Sequence, residues 1–274
     1  MAGQQEAANP TKLENIRKIF KNCVQNVEQN LLLSTTYPLN TSHTKKLHVG
    51  LQLSKEKIFE PVVKLSGNSA EGISFDPDTW QQFQDSIRYM SAYFNGSSKS
   101  KVNPITFANI FINFTSAYGA KAVLVTYKEN ENFPKENNTG NTQADAKTAE
   151  QPPAKKRKTY SVAVVMQQAT FQGMENIAKC VDARINHLAS VVDTVNECAR
   201  YLIKEIELCL PNNYIDADII KLTVRGNQKD IELAVRTQIN NLPFLDAYFD
   251  IVFLELITLK FKEITTIILL NREL

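Results

Sequence analysis

Gly72-Ile73-Ser74-Phe75-Asp76-Pro77-Asp78-Thr79-Trp80-Gln81-Gln82-Phe83 reads as a strand that runs without a loop into a helix. Residues 72–75 form a short strand. Asp76-Pro77-Asp78 then supplies a capping carboxylate, a proline whose fixed φ suits the first helical turn, and an acid for the helix dipole. From Pro77 onward the large apolar side chains fall at Trp80, Phe83, Ile87, Met90 and Phe94. These alternating steps of three and four place all five on one stripe, with Gln81, Gln82, Gln84 and Asp85 facing outward. A helix with one such stripe packs on a sheet, and Asn95-Gly96-Ser97-Ser98 stops it.

Upstream, residues 47–53 and 58–65 alternate or cluster apolar side chains at strand length, with Gly67-Asn68-Ser69 as a turn. Residues 1–42 read as a helical or flexible N-terminal segment. Downstream, β-branched and aromatic runs at 105–115 and 122–127 form a hairpin around Ser116-Ala117-Tyr118-Gly119. Residues 160–168 make a further strand. From Phe171 a second helix carries Phe171, Met174, Ala178, Val181, Ile185, Leu188, Val192, Val195, Ala199, Leu202 and Ile206 on one stripe, until Pro211 ends it. At about 57 Å this helix is longer than one small sheet covers, so the excess is expected to pack on a partner subunit. Residues 211–274 read as a helical oligomerisation region. Its helices lie near 216–224, 229–240 and 243–259, with breaks at Gly226 and Asn241, and residues 265–270 are readable as helix or strand.

Between hairpin and second helix, residues 129–159 hold Phe133 as the only large apolar side chain, too little burial to offset the cost of ordering the chain. This stretch is expected to be a disordered linker. Near its end, after Pro152-Pro153, Lys155, Lys156, Arg157 and Lys158 set four cations in a row, as the acidic groove of a nuclear-import receptor requires. The expected location is therefore the nucleus; a solubilising charge run is the plainer alternative.

A chain of 274 residues with 43% hydrophobic content can bury one sizeable core or two modest ones. Its formal charge of only +2 excludes coating nucleic acid by bulk charge, so an anion-binding surface has to be local. Cys23, Cys180, Cys198 and Cys209 include no C-x-x-C pair, so they read as reduced thiols rather than zinc ligands, and no cofactor is implied. The start Met-Ala-Gly-Gln-Gln-Glu lacks the basic and apolar regions of a secretory signal. The most apolar tract, 251–270, is interrupted by Glu255, Lys260, Lys262 and Glu263, so no membrane span is expected. His43, His48 and His187 have no carboxylate or thiol at a recognised spacing, and glycine loops and nucleophile elbows are missing from the sequence. The chain reads as a non-enzyme.

The order of strands, then a short strand running into an aromatic-bearing helix, occurs at 72–94 and again at 162–181, aligning Trp80 and Phe83 with Phe171 and Met174. Residues 72–87, with Gly-Ile-Ser, an apolar residue, four positions and then Trp, resemble the strand-to-helix segment of the transcriptional positive-cofactor-four family of single-stranded-DNA-binding proteins. Plant Whirly proteins carry that unit twice. The resemblance implies an α+β fold of two antiparallel sheet-plus-helix units, here residues 43–128 and 160–210, followed by the α-helical C-terminal region. It also implies a sequence-nonspecific binder of single-stranded DNA or RNA, DNA above RNA, acting in transcription or replication as a homo-oligomer.

Such binding needs cations that track phosphates and flat side chains that stack bases. In the first unit Lys45, Lys46, His48, Lys55, Lys57, Phe59 and Lys64 supply this mixture against Glu56 and Glu60. In the second, Phe107, Phe111, Phe114, Tyr118, Lys121, Tyr127 and Lys128 are interleaved; Phe107 and Phe111 share a period-two face with Asn109 and Asn113, so some of these rings belong to the core, and Tyr118, Lys121, Tyr127 and Lys128 are the candidates. The alternative is a structural or scaffolding oligomer whose sheets only pack. Replacing Lys155, Lys156 and Arg157 with alanine is expected to leave folding intact and abolish nuclear accumulation of a fluorescent fusion; unchanged accumulation would remove the import assignment.

Overall fold

The structure, a computed structural model, describes residues 31–67, 72–96, 102–127, 162–210, 217–239 and 248–272. The fold is α+β. Strands β1 (Leu32–Pro38), β2 (Lys46–Leu53), β3 (Phe59–Ser66) and β4 (Gly72–Phe75) form an antiparallel sheet in sequence order, followed by helices α1 (Pro77–Asp85) and α2 (Ile87–Asn95). Strands β5 (Ile105–Phe107), β6 (Ile110–Ala117), β7 (Ala120–Tyr127) and β8 (Ala163–Gln167) repeat the arrangement and lead directly into α3 (Gln168–Cys209). Helices α4 (Ala217–Ile239), α5 (Phe249–Thr258) and α6 (Phe261–Arg272) complete the described chain.

The strand-to-helix turn forms as its residues dictate. Asp76 Oδ1 accepts the Thr79 N–H at 2.7 Å, Pro77 opens the helix, and Phe75, Trp80 and Phe83 bury their rings against one another 5.0–5.9 Å apart. The expected single helix is broken at Ser86, whose hydroxyl donates to the Gln82 carbonyl, but Met90 and Phe94 stay on the buried side. Phe94 of α2 meets Phe171 of α3 at 5.1 Å, so the helices of the two units touch.

Two expectations change. Within the segment read as helical or flexible, residues 32–38 are a strand. Thr35, Thr36 and Tyr37 pair with Val49, His48 and Leu47, and the register shifts between Leu32 and Thr35, where Leu33 takes φ 50°. That bulge erases the period-two pattern by which a strand is read. Its backbone is held from outside: the Leu33 N–H donates to Glu255 Oε2 on α5 at 2.7 Å, and Arg184 Nη2 on α3 donates to the Leu33 carbonyl at 2.6 Å. Residues 1–30 and the linker at 129–159 lie outside the described residues.

The second change concerns α3. Its first turns pass so close to the chain after β1 that a Cβ on Gly173 would collide with the Leu39 carbonyl oxygen. Its middle lies on β2 and β3, where Asn196 bonds both the N–H and the carbonyl of Phe59. The remainder of the stripe, Val195, Ala199, Leu202 and Ile206, is buried, and α4, α5 and α6 pack along the helix. The excess length is thus covered by the chain itself, which removes the stripe as an argument for a partner. Helix α4 runs through the expected break near Gly226 with a kink at Asn227, whose side chain donates to the Thr223 carbonyl. Residues 265–270 are helical, within α6.

Leu202→Ala is expected to destabilise the fold by about 2–5 kcal/mol, with a denaturation midpoint independent of protein concentration. A midpoint that falls on dilution would place the seam between subunits instead.

Candidate nucleic-acid interface

Alternation along β2 sends Leu47, Val49 and Leu51 into the core and Lys46, His48, Gly50 and Gln52 to the opposite face of the first sheet. The register places Lys46 between Pro38 and Ser66, and His48 between Thr36 and Lys64, with Ser74 beyond Lys64. Lys46 and Lys64 are therefore diagonal neighbours, their Cβ atoms about 7 Å apart. Between them His48 is only 4% exposed; its Nδ1 bonds Thr36 Oγ1 and its Nε2 bonds Ser66 Oγ, each at 2.9 Å. Burial first, and then Lys46 and Lys64, push its pKa down to about 4. The imidazole is neutral at pH 7, so it adds no charge to that of Lys46 and Lys64 beside it.

Lys45 joins them at the same end of the sheet, half-buried beside Gly67. Lys55 and Lys57 are exposed in the β2–β3 turn, Lys57 with φ 63°, at the opposite end of the hairpin. The cations thus form two groups. Glu60, opposite Gln52, lies on the same face between them, and a depression of about 250 Å³ there also includes Lys55 and Asp76. Its two acids offset its one cation.

Three expected contacts do other work. Phe59 is 3% exposed and packs in the core against α3, so it offers no ring to a base. Lys121 Nζ donates to the Tyr93 carbonyl at 2.7 Å and to the Gly96 carbonyl, capping the C-terminal end of α2 where unpaired carbonyls collect. Tyr127 accepts the Ser74 N–H on its hydroxyl at 2.7 Å and so ties the second sheet to β4. Tyr118 alone among the expected aromatics is fully displayed, at 99% exposure. Phe107, Phe111 and Phe114 are half-buried, and Lys128, Lys155, Lys156, Arg157 and Lys158 lie outside the described residues.

Sequence reading missed Thr36, Ser66 and Ser74, hydroxyls that share the lysine face. Thr36 lies on the strand hidden by the bulge, and the other two carry no signal without the register. It also missed Tyr89, half-exposed with Arg88 stacked 4.6 Å from its ring centre. Among the described residues the lysine face carries no aromatic ring besides His48, so its lysines and the displayed aromatics Tyr89 and Tyr118 are on different elements.

Among the described residues no group of three metal-ligating side chains comes together. The Cys198 thiol is pushed up to about 12 by burial, which makes it a poor nucleophile. No described helix is long and apolar enough to cross a membrane. No protein-family model matches the chain, and no curated protein does.

His48 makes stability depend on pH. The unfolded imidazole binds a proton near pH 6.5, the folded one only near 4, so stability is retained above 6.5 and falls between those values by about 3 kcal/mol. Denaturant titrations from pH 7.5 to 4 are expected to show this loss and His48→Gln to flatten it; equal slopes for both would exclude His48 as the source.

Proposed function

We propose that this chain is a non-enzymatic, sequence-nonspecific binder of single-stranded nucleic acid that acts in the nucleus in transcription or replication. The observation that carries the reading is the convergence of Lys45, Lys46 and Lys64 at one end of a sheet face, in a chain of net charge +2. Basic residues that merely keep a protein soluble have no reason to converge. The repeated order of four antiparallel strands and then a helix supports a kinship with Whirly-like proteins.

The binding chemistry is phosphate neutralisation. A phosphate over the Lys46–Lys64 diagonal gains two ammonium donors and releases the counterions of the free strand. A neutral His48 beneath them sets their separation without adding a third charge. Were the imidazole charged, the three cations would repel one another and the face would need an anion to fold. Lys55 and Lys57, at the far end of the same hairpin, provide a second contact for a strand long enough to reach both. The preference for single strands has a separate source, because ammonium groups attract the phosphates of duplex and single strand alike.

The test is fluorescence anisotropy of a labelled mixed-sequence oligonucleotide, single-stranded and duplex, over a salt series. The wild-type protein is expected to prefer the single strand. Lys46→Ala with Lys64→Ala should reduce the dependence of log affinity on log salt by about 0.7 for each phosphate no longer neutralised. An unchanged salt dependence would show that this face is not the interface.

A further inference from the structure

The β6–β7 hairpin is turned by Tyr118 and Gly119, with φ 53° and 77°, and the ladder closes with Ala117 opposite Ala120. Positive φ at both central residues is the primed turn that matches strand twist, and it favours Asn, Asp or Gly at its first position. A tyrosine there is strained by its Cβ, and its ring gains nothing in return from the fold, being 99% exposed. A strained residue with no packing role is what a functional contact looks like.

The hairpin below the tip is fixed from several sides. Lys121 is bound to the end of α2, Tyr93 Oη donates to the Thr115 carbonyl, and the Tyr93 ring packs on Phe114 at 4.9 Å. Gln167 Nε2 donates to the Ala117 carbonyl at 3.1 Å, directly under the turn. Tyr118 is thus a flat ring on a rigid support, so little backbone freedom is lost when something stacks on it.

We infer that Tyr118 stacks on an unpaired nucleobase and is the residue by which this chain distinguishes single strands from duplex. This rests on the nucleic-acid reading above and adds the part that lysines do not supply. A base in a duplex has both faces covered by its neighbours, whereas an unpaired base exposes one, and every base has such a face, so the contact requires no particular sequence. A ring on a narrow hairpin tip reaches between splayed bases where a broad sheet face does not.

The test uses Tyr118→Asn, which suits the turn, and Tyr118→Trp, which keeps a ring, in the full chain. Tyr118→Asn should raise Tm by about 2–4 °C as the strain is relieved. It should also weaken single-strand affinity by about 5- to 100-fold, with duplex affinity and salt dependence unchanged. Tyr118→Trp should retain the single-strand preference. If the wild type prefers single strands and Tyr118→Asn does so equally, the inference fails and the nucleic-acid reading stands. Equal weakening on single strand and duplex would also overturn it. If the wild type binds neither form, the nucleic-acid reading itself fails and this inference falls with it.

Discussion

Helix α3 imposes the constraint on which the other elements depend. Forty-two residues in one helix span about 63 Å, and its apolar stripe runs almost from end to end. No single layer can cover such a stripe. The aromatic junction with α2 receives its start, the first sheet its middle, and α4, α5 and α6 its later turns. Polar ties fix where each layer sits: Asp182 accepts from Trp80 Nε1 and Gln84 Nε2, Arg184 donates to the Leu33 carbonyl, and Asn196 bonds the backbone of Phe59. Each of these groups would be costly to bury unpaired, so each specifies one placement of its layer.

The β1 bulge is the clearest consequence. A strand that shifts register at Leu33 frees a backbone N–H and a carbonyl from the ladder, and both are answered by charged side chains from helices distant in sequence. Glu255 is itself buried there, and the neighbouring Lys260 Nζ, 3.6 Å from Glu263 Oε1, has its pKa lowered chiefly by burial and raised in part by those two acids. The C-terminal helices are therefore joined to the first sheet by charge as well as by apolar burial.

The same constraint governs the proposed interface. Lysines that serve the fold are occupied there, as Lys121 is on α2, and aromatic rings that fill the core are hidden, as Phe59 is. The groups offered to a ligand in the proposal are Lys45, Lys46 and Lys64 at one end of the first sheet, Lys55 and Lys57 of the β2–β3 turn, and the ring at the β6–β7 tip. In a chain this close to neutral, position decides function more than number does.

The sequence by itself determined the local order. Asp76-Pro77 announced the strand-to-helix turn, the spacing of Trp80, Phe83, Met90 and Phe94 announced a buried stripe, and the valines before Phe171 announced its second occurrence. These are contacts between residues a few positions apart, whose geometry follows from helix and strand periods. Tertiary structure decided what lies opposite what. Lys121 reads as a free cation until α2 ends beside it, Tyr127 reads as an exposed ring until Ser74 reaches it, and the stripe of α3 reads as an interface until α4, α5 and α6 fold back. For Lys121 and Tyr127 the deciding partner lies more than twenty residues away, and for α3 it lies on other helices, beyond the reach of any local period.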